Sequence, residues 1–435
     1  MYTWLVKRNF TVLLIQLTGM GLAFGGNVLL ARLYGEQVYG VYSLLTSWAF
    51  FLAAIALFGI DDTHLVRIPS LRLQGEKRSV LFQLRWSLEV NTIAIFVVAA
   101  FFWWLVNIYR LPGLAGDAYY CNVLLVITGL LALFNNLVCF LRALDKVVAV
   151  EITDKIIRPF VFVGLLLLFY YLWRTDLLMG AMMANIASLI AILLLSSVII
   201  ARALTKIPDN GKTAKKGFSL SANFRYVSMN LLYLLSIRMD ILLLGTMSSA
   251  VNVGHYNVAI RFADILAYPI AIMNLSLPAL LAKHRHDNGG MPTPASMYTI
   301  AKSVTLQCLL LGLLFLPAGN WILSWYGKGF TSALPVVGLF FLSGLITAAT
   351  GSIDIFLIMN GQEKKVIYCR IVTILLMPLL AVFLIPRWGM IGAAVLSLAG
   401  NLVYNVLLEW FFYKRYGMFI HPFASSRSIN SSNGF

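Results

Sequence analysis

Charged side chains inside long apolar segments are the residues of this chain best placed to do chemistry. Arg238 and Asp240 lie in one apolar stretch, and Arg261 and Asp264 lie in the next. A charge at the centre of a membrane helix costs about 2.5–3.5 kcal/mol on insertion scales, so each one needs a partner or a function. These four residues are therefore the first candidates for a binding site.

The spacing around Arg261 predicts one polar helix face. Asn257, Arg261, Asp264 and Tyr268 follow at intervals of four, three and four residues, which places them on one side of a helix. Two interpretations are open: Arg261 and Asp264 neutralise each other inside the bundle, or the face lines a water-filled cavity where the arginine binds an anionic substrate. We favour the second because other spans also carry polar stripes. The predicted substrate-binding residues are Arg238, Arg261, Asn257, Tyr268, Gln16, Asn27 and Asn401.

Carboxylates in the same segments are candidates for coupling transport to an ion. They are Asp240, Asp264 and Asp354. Asp240 lies two residues from Arg238 and so points to a different face of the helix. Arg238 has no charged residue three or four positions away, so it either pairs with a neighbouring helix or meets the substrate.

The sequence has no motif for enzymatic chemistry. It contains no phosphate-cradling GxxxxGK(S/T) pattern, no nucleophile elbow, no paired-histidine zinc spacing and no acidic DxD pattern. No long loop is present that would house a soluble catalytic domain. We therefore expect a transporter and not an enzyme, with no catalytic residue, no metal site and no cofactor.

The elements that must position these side chains are membrane helices. The chain of 435 residues is 60% hydrophobic and 11% charged, with mean hydropathy +0.85, which leaves too little polar surface for a soluble protein. Apolar stretches of roughly eighteen residues recur, each long enough to cross a hydrocarbon core of ~30 Å. Because backbone groups in lipid must pair within their own segment, these stretches are helices.

The fold class predicted is an all-α polytopic membrane protein of about 12 transmembrane helices. The predicted spans are 10–32, 41–60, 87–107, 121–141, 159–173, 178–200, 226–247, 254–280, 303–323, 334–359, 370–386 and 390–412, of which the fifth and eleventh are short.

Basic residues predict the orientation of these spans. They cluster in alternate loops, which is typical of the cytoplasmic side. The opposite loops keep about one each: Arg32, Arg110, Arg174, Lys328 and Arg387. The same asymmetry accounts for the net charge of +16, so we expect no nucleic-acid partner and place both termini in the cytoplasm.

The two halves of the sequence resemble each other at a constant offset. Gly40 in VYGVY matches Gly254 in VGHY, 214 residues later, and two further short matches have similar spacing. Such self-similarity indicates duplication. We therefore predict two parallel six-helix repeats around a central cavity. The predicted regions are an N-terminal half (1–200), a basic cytoplasmic linker (201–225), a C-terminal half (226–412) and a cytoplasmic tail (413–435).

The first span combines a polar face with small residues. Gln16 and Asn27 lie on one face of its helix. Gly21 and Gly25 form a GxxxG pair, which favours close packing of this helix against another.

Several segments resemble a known transporter family. ARLYGEQVYGVYS (31–43) resembles the first-loop signature of the polysaccharide-biosynthesis flippases, the O-antigen and exopolysaccharide exporters. GID (59–61) is similar to that family's second-span exit. RMDILL (238–243), VGHY (253–256) and AIR (259–261) are similar to its mid-chain signature. The family belongs to the multidrug/oligosaccharidyl-lipid/polysaccharide exporter superfamily, and the resemblance covers essentially the whole chain.

This resemblance implies a function at the bacterial cytoplasmic membrane. It implies transfer of an undecaprenyl-pyrophosphate-linked oligosaccharide between leaflets by alternating access, without ATP hydrolysis by the chain. It names membrane lipids as partners and leaves the polysaccharide polymerase and chain-length machinery as candidate partners. Relatives that flip peptidoglycan precursor usually have fourteen spans, so twelve argue against that role. The in-membrane cations Arg238 and Arg261 both lie in the C-terminal half, which points to asymmetric recognition.

Two other functions compete with this one. A cation-coupled multidrug or small-molecule antiporter of the same superfamily would need a protonatable carboxylate, for which Asp264 and Asp354 are candidates. A membrane polymerase or glycosyltransferase would need a large external loop with catalytic groups, and the external loops here are short.

Overall fold

The secondary structure of the described residues is almost entirely helical. The computed structural model describes residues 2–109, 118–172, 174–210, 220–274, 277, 281, 294–417 and 419–420. In the first part of the chain the helices are α1 (Tyr2–Tyr34), α2 (Glu36–Ala56), α3 (Ile60–Leu73), α4 (Lys77–Tyr109), α5 (Ala118–Ala143), α6 (Val147–Ile152), α7 (Arg158–Leu172) and α8 (Leu177–Leu204). A π-helical turn, Thr153–Ile157, joins α6 to α7.

The second part continues in the same way. Its helices are α9 (Leu220–Met247), α10 (Ala250–Leu266), α11 (Tyr268–Asn274), α12 (Pro294–Phe315), α13 (Gly319–Ser324), α14 (Leu334–Thr350), α15 (Ile353–Met359) and α16 (Glu363–Tyr416). A 3-10 helix, Lys328–Ala333, precedes α14.

Helix lengths within the described residues indicate twelve membrane crossings. Among the described residues, ten helices are long and apolar enough to cross a membrane, and α10 with α11 makes an eleventh across a bend of 63°. α16 has 54 residues, or ~80 Å at 1.5 Å per residue, far more than one crossing requires. It is interrupted at Gly389, whose φ of 54° and ψ of −126° are not helical. α16 therefore contains two spans, which brings eleven to twelve.

Two spans predicted to be short are longer in the structure. The fifth is Val147–Leu172 instead of 159–173, and the eleventh begins at Glu363 instead of 370. Hydropathy excluded their first turns because those turns carry charged residues such as Glu151 and Asp154. Both of these carboxylates have protein partners, so the helix continues through them.

The chain divides into two compact units, Met1–Leu231 and Leu232–Phe435. The predicted linker 201–225 overlaps both the end of α8 and the start of α9, and residues 211–219 lie outside the described residues. Most of the predicted tail 413–435 also lies outside them. The four predicted regional boundaries stay predictions.

Equivalent helices occur at the predicted offset in the two units. α2 begins at Glu36 and α10 at Ala250, which is 214 residues later. In the first unit α5 packs against α2, α4 and α8. In the second, α14 packs against their equivalents α10, α12 and α16. The six-helix repeat is confirmed by this shared order and packing.

Small residues allow the helices around α5 to approach closely. Ala53 of α2, Ala132 of α5 and Ala181 of α8 are fully buried. Between membrane helices there is little water to exclude, so association depends on van der Waals contact over short distances. Alanine supplies that contact without the bulk that would separate the backbones.

A short polar helix follows the second span. Between α2 and α3, Phe58 (φ 51°) and Gly59 (φ 65°) adopt the left-handed conformation, which is uncommon for a bulky residue and ends the span. Asp61 and Asp62 occupy the first turn of α3, and Asn230 Nδ2 donates to Asp61 Oδ2 at 3.4 Å and to Asp62 Oδ2 at 3.2 Å. Burial, and then the adjacent Asp62 carboxylate, raises the pKa of Asp61 to about 6.

We expect Asp61→Asn to stabilise the protein at neutral pH and to do much less at pH 4. A carboxyl whose pKa is raised from 3.8 to about 6 favours the folded state fully below 3.8, and this contribution is lost as the pH rises through about 6. Asparagine stays neutral, so the difference in free energy of unfolding between variant and wild type should grow by about 2–3 kcal/mol from pH 4 to pH 7.5. Thermal unfolding in detergent at both pH values measures it. Glu89→Gln, in an exposed pair with Arg85, is the control, and a gap that is constant with pH would contradict the prediction.

Candidate functional site

Arg238 and Arg261 lie at the same depth in the second unit. Arg238 is nine residues before the end of α9 at Met247, and Arg261 is eleven residues after the start of α10 at Ala250. At 1.5 Å per residue they lie ~14 Å and ~17 Å from the α9–α10 turn, close to the middle of a ~30 Å core. The tight turn between α9 and α10 therefore sets both arginines near the membrane midplane.

An electrostatic group surrounds the two arginines. Arg238 interacts with both Arg261 and Asp264 on the neighbouring helix, and Asp264 interacts with both arginines. The side chains of Arg261 and Asp264 are exposed, and that of Arg238 is half-buried. Asp264 thus interacts electrostatically with both guanidinium groups and not with Arg261 alone.

Asp240 is buried inside the second unit and interacts electrostatically with Arg238. It is 4% exposed, and its Oδ2 accepts a hydrogen bond of 2.6 Å from the Tyr256 hydroxyl. Its Oδ1 accepts from the Ile241 N–H at 2.8 Å, and Ser397 also bonds to this carboxylate. Burying a carboxylate is tolerated only when its oxygens are satisfied in this way. Asp240 can therefore couple to an ion only if these bonds rearrange.

Asn257 and Tyr268 have different surroundings although the sequence places them on one stripe. Asn257 is 7% exposed, inside the packed part of α10. Tyr268 begins α11, beyond the bend of 63°, just before Pro269. Its hydroxyl is buried and has no hydrogen-bond partner within the described residues. The stripe predicted from spacing requires a straight helix, and the bend interrupts it after Asp264.

Asn401 joins α14 to α16. Its Nδ2 donates to the Ser343 carbonyl at 2.8 Å, and its Oδ1 accepts from Asn405 Nδ2 at 2.8 Å. The Thr350 hydroxyl in turn donates to Asn405 Oδ1 at 2.8 Å. These hydrogen bonds occupy the side-chain amide of Asn401. The role of Asn401 in substrate binding stays a prediction.

Asp354 is paired with Arg370, a residue that the sequence analysis did not single out. Their closest atoms, Asp354 Oδ2 and Arg370 Nη2, are 3.4 Å apart, and the Tyr404 hydroxyl donates to the same oxygen at 3.3 Å. The guanidinium lies 4.9 Å from the ring centroid of Tyr233 and 4.7 Å from that of Tyr404. It also donates to Ser236 Oγ at 2.9 Å. Arg370 is thereby held between two aromatic rings, a geometry that suits a planar guanidinium.

The two polar residues of the first span lie far apart along α1. Asn27 accepts a hydrogen bond of 3.3 Å from the Tyr39 hydroxyl. Gln16 Nε2 donates to Glu151 Oε2 at 3.4 Å. Eleven residues separate Gln16 from Asn27, which is ~16 Å of helix. The sequence therefore places them on one face but not in one site.

The predicted GxxxG packing of the first span is wrong within the described residues. A Cβ added at Gly21 or Gly25 would meet no atom within 4 Å. At Gly19 it would lie 2.5 Å from the Lys155 carbonyl oxygen, and at Gly26 3.1 Å from Val163. The close approach thus uses the neighbouring glycines, because the face turned to α7 is the one that carries Gly19 and Gly26.

The structure brings together four of the predicted residues. Arg238, Arg261 and Asp264 interact with one another, and the buried Asp240 interacts with Arg238. The remaining predicted residues are distributed among other contacts: Asn257, Tyr268, Asp354, Asn401, Gln16 and Asn27. No group of three or more His, Cys, Asp or Glu side chains within the described ranges could hold a metal ion. The sequence analysis missed Arg370, Arg142 and Glu151. Glu151 could have been found, because an acidic residue in an apolar run is unusual.

Comparisons with known proteins agree with this fold. The family model described as "Polysaccharide biosynthesis protein" matches residues 5–282. The solved structure "Lipid II flippase MurJ, inward closed conformation" is similar with a TM-score of 0.67 and 12% identity, over 92% of this chain and 87% of that chain. No curated protein matches the sequence.

Two further solved structures name the wider group. "Outward-facing conformation of a multidrug resistance MATE family transporter of the MOP superfamily" is similar with a TM-score of 0.58 and 15% identity, over 94% of this chain and 95% of that chain. An inward-facing structure with the same description is similar with a TM-score of 0.57 and 11% identity, over 97% and 96%. At such low identities the likeness concerns the fold and not the substrate. Since the family model covers more than half of the sequence, the chain belongs to the polysaccharide biosynthesis protein family and folds like transporters of the MOP superfamily.

Proposed function

We propose that this protein is a flippase for an undecaprenyl-pyrophosphate-linked oligosaccharide, an O-antigen or exopolysaccharide repeat unit. It moves this lipid from the cytoplasmic to the periplasmic leaflet of the bacterial inner membrane by alternating access, and both of its termini are cytoplasmic. It acts as a transporter and hydrolyses no ATP. The family to which the chain belongs and the fold that it shares with a lipid II flippase support this proposal.

The observation that carries the proposal is the pair of mid-depth arginines and the one exposed carboxylate that interacts with both. Sugars and a pyrophosphate cannot cross hydrocarbon unaided, whereas the prenyl tail is stable there. A guanidinium binds phosphate oxygens through paired, charge-assisted hydrogen bonds. Exposed charges at this depth are too costly against lipid, so their face must be wet. Arg238 and Arg261 supply the cationic surface that a pyrophosphate needs at the midplane.

Asp264 is the carboxylate best placed for coupling to an ion. It is exposed beside the two arginines, whereas Asp240 is buried under Tyr256 and Asp354 is paired with Arg370. A proton or Na⁺ on Asp264 would neutralise the group that competes with the pyrophosphate for both arginines. When that ion leaves, the carboxylate is charged again and competes for the same guanidinium groups, which favours release of the pyrophosphate.

Complementation tests this function against the antiporter alternative. A strain that lacks its own polysaccharide flippase is supplied with this gene, and surface polysaccharide and drug sensitivity are measured together. We expect restored polymer and unchanged drug sensitivity, because the exposed face is cationic and unsuited to cationic drugs. Drug resistance without polymer would show instead that the protein is a multidrug antiporter.

A further inference from the structure

A second group of charges lies in the first unit, where α1, α5 and the fifth span meet. Arg142 ends α5, Glu151 lies in α6, Asp154 and Lys155 lie in the π-helical turn, and Arg158 begins α7. We call these five residues the π-turn cluster. Glu151 Oε1 is 3.0 Å from Arg142 Nη2, and Asp154 is 2.8 Å from Lys155 Nζ and 3.5 Å from Arg158 Nη1. Three cations thus meet two carboxylates, which leaves one positive charge in excess.

The carboxylates of the π-turn cluster are less exposed than its cations. Side-chain exposures are 6% for Glu151 and 14% for Asp154, against 36% for Arg142, 45% for Lys155 and 29% for Arg158. Carboxylates that lie deeper than the cations hold the partly exposed cations in place and leave their outer N–H groups available. Arginine has five donors and lysine three, so most donors of the cluster stay available for a ligand.

Other ion pairs among the described residues lack this arrangement. In the pair of Arg85 and Glu89 both side chains are largely exposed, at 84% and 58%, as is usual for a solvated surface pair. In the pair of Arg370 and Asp354 the cation is the more buried partner, at 14% against 25%. Partly exposed cations on less exposed acids suit the binding of an anion.

The π-turn cluster lies at the edge of the hydrocarbon core. Lys155 is seventeen residues before the end of the fifth span at Leu172, which is ~26 Å of helix. Gln16, which donates to Glu151, is eighteen residues before the end of α1 at Tyr34, which is ~27 Å. In a core of ~30 Å these positions lie at the boundary where lipid phosphate groups are found. The cluster is on the side of the N-terminus, opposite to the α1–α2 turn.

The backbone around Lys155 is built for close approach. Pro159 has no N–H, so the carbonyl of Lys155, four residues earlier, receives no α-helical hydrogen bond and the helix widens into the π-helical turn. A Cβ at Gly19 would lie 2.5 Å from that carbonyl oxygen and 2.6 Å from Lys155 Cβ. Only glycine at this position lets α1 support the turn. Contact with α1 therefore fixes the backbone that carries the ammonium group of Lys155.

We propose that the π-turn cluster binds the diphosphate group of a membrane-embedded isoprenoid lipid at the leaflet boundary, before that group reaches the arginines at the midplane. The proposal rests on the proposed function and adds to it a separate entry site in the first unit. A diphosphate carries enough charge to engage the three cations together. The isoprenoid tail of a lipid held at this depth remains in the adjacent hydrocarbon.

Binding of undecaprenyl diphosphate that carries no sugar tests the proposal. The full-length protein is placed in phosphatidylcholine nanodiscs, and its affinity is measured by native mass spectrometry with undecaprenyl monophosphate as the comparison. We expect Lys155→Gln with Arg158→Gln to weaken diphosphate binding by about tenfold or more. The matched double variant Arg78→Gln with Arg85→Gln also removes two cations, from exposed surface pairs, and should change the affinity by less than about twofold.

Two further variants separate binding from folding. Lys155→Arg with Arg158→Lys keeps both charges, and we expect it to retain most of the affinity. Gly19→Ala displaces the Lys155 backbone and should weaken binding, whereas Gly21→Ala, with open space around it, should not. Equal losses in all variants, accompanied by lower unfolding temperatures, would overturn the proposal.

The remaining outcomes distinguish the sources of the phosphate and the two proposals. If phosphatidylglycerol in the discs reduced wild-type binding to the level of the glutamine variant, the cluster would take any anionic lipid and the diphosphate assignment would be wrong. If the glutamine variant bound normally while Arg261→Ala did not, the entry site would be wrong and the proposed function would stand. If the wild type bound neither isoprenoid, both would fail.

Discussion

Export of surface polysaccharide should fall at least about a hundredfold when Arg238 and Arg261 are both replaced by alanine. Each guanidinium contributes charge-assisted hydrogen bonds of about 1.5–3 kcal/mol to a bound phosphate, so losing two costs about 3–6 kcal/mol. That energy corresponds to a factor of roughly 10² to 10⁴ in binding. The measurement is surface polysaccharide in a flippase-deficient strain that carries each variant.

The controls for this prediction separate transport from insertion. Membrane levels of each variant are measured by immunoblot, because a protein that fails to insert also fails to export. Arg261→Lys keeps the charge but loses the planar fork, so an intermediate level of polymer is expected. Arg85→Ala, which removes an exposed cation, should export normally. Normal polymer from the double variant would show that these arginines do not bind the substrate.

Arg370→Met should destabilise the second unit more than any single change at the surface. It leaves the Asp354 carboxylate without its cation and empties the space between Tyr233 and Tyr404. Removing one partner of a buried pair strands the other charge, and for this partly buried pair we expect the free energy of unfolding to fall by about 2–4 kcal/mol. Thermal unfolding of the purified protein in detergent measures the loss.

A second substitution tests the reason for that loss. In Arg370→Met with Asp354→Leu no unpaired charge remains, and we expect most of the stability to return. Arg85→Met, in the exposed pair with Glu89, should change stability by less than about 0.5 kcal/mol. If the double variant were as unstable as Arg370→Met alone, the stacked tyrosines rather than the unpaired carboxylate would explain the effect. A stable double variant that failed to export would show that the pair of Asp354 and Arg370 takes part in transport.

Broken helices show where hydropathy reaches its limit. The sequence predicts an uninterrupted eighth span, yet that span bends by 63° between α10 and α11, just before Pro269. By contrast, the break at Gly389 inside α16 falls between the predicted spans 370–386 and 390–412. Apolar composition indicates whether a segment is stable in lipid. It carries no information on the direction of the helix axis, so it does not predict a bend. The stripe that includes Tyr268 was mispredicted for this reason.

Pairing between distant charged residues is also invisible to local patterns. Glu151 and Arg142 are nine residues apart, and Asp354 and Arg370 are sixteen apart. Neither spacing is the three or four residues at which side chains meet on one helix. From the sequence, Arg142, Lys155 and Arg158 therefore resemble ordinary basic residues of a cytoplasmic loop. Only their contacts show two less exposed carboxylates paired with three partly exposed cations.

The sequence by itself determined the membrane class of this protein, its twelve spans, their grouping into two six-helix repeats and its family. These follow from composition, length and short-range spacing, because lipid requires apolar helices of one approximate length and duplication leaves a constant offset of 214 residues. Only the tertiary structure decided which polar side chains belong together. It set Arg238 beside Arg261 and Asp264, buried Asp240 under Tyr256, and formed the π-turn cluster around Lys155. The physical reason is that a buried charge takes its partner from whichever helix packs against it, and packing depends on surface shape that no local pattern records.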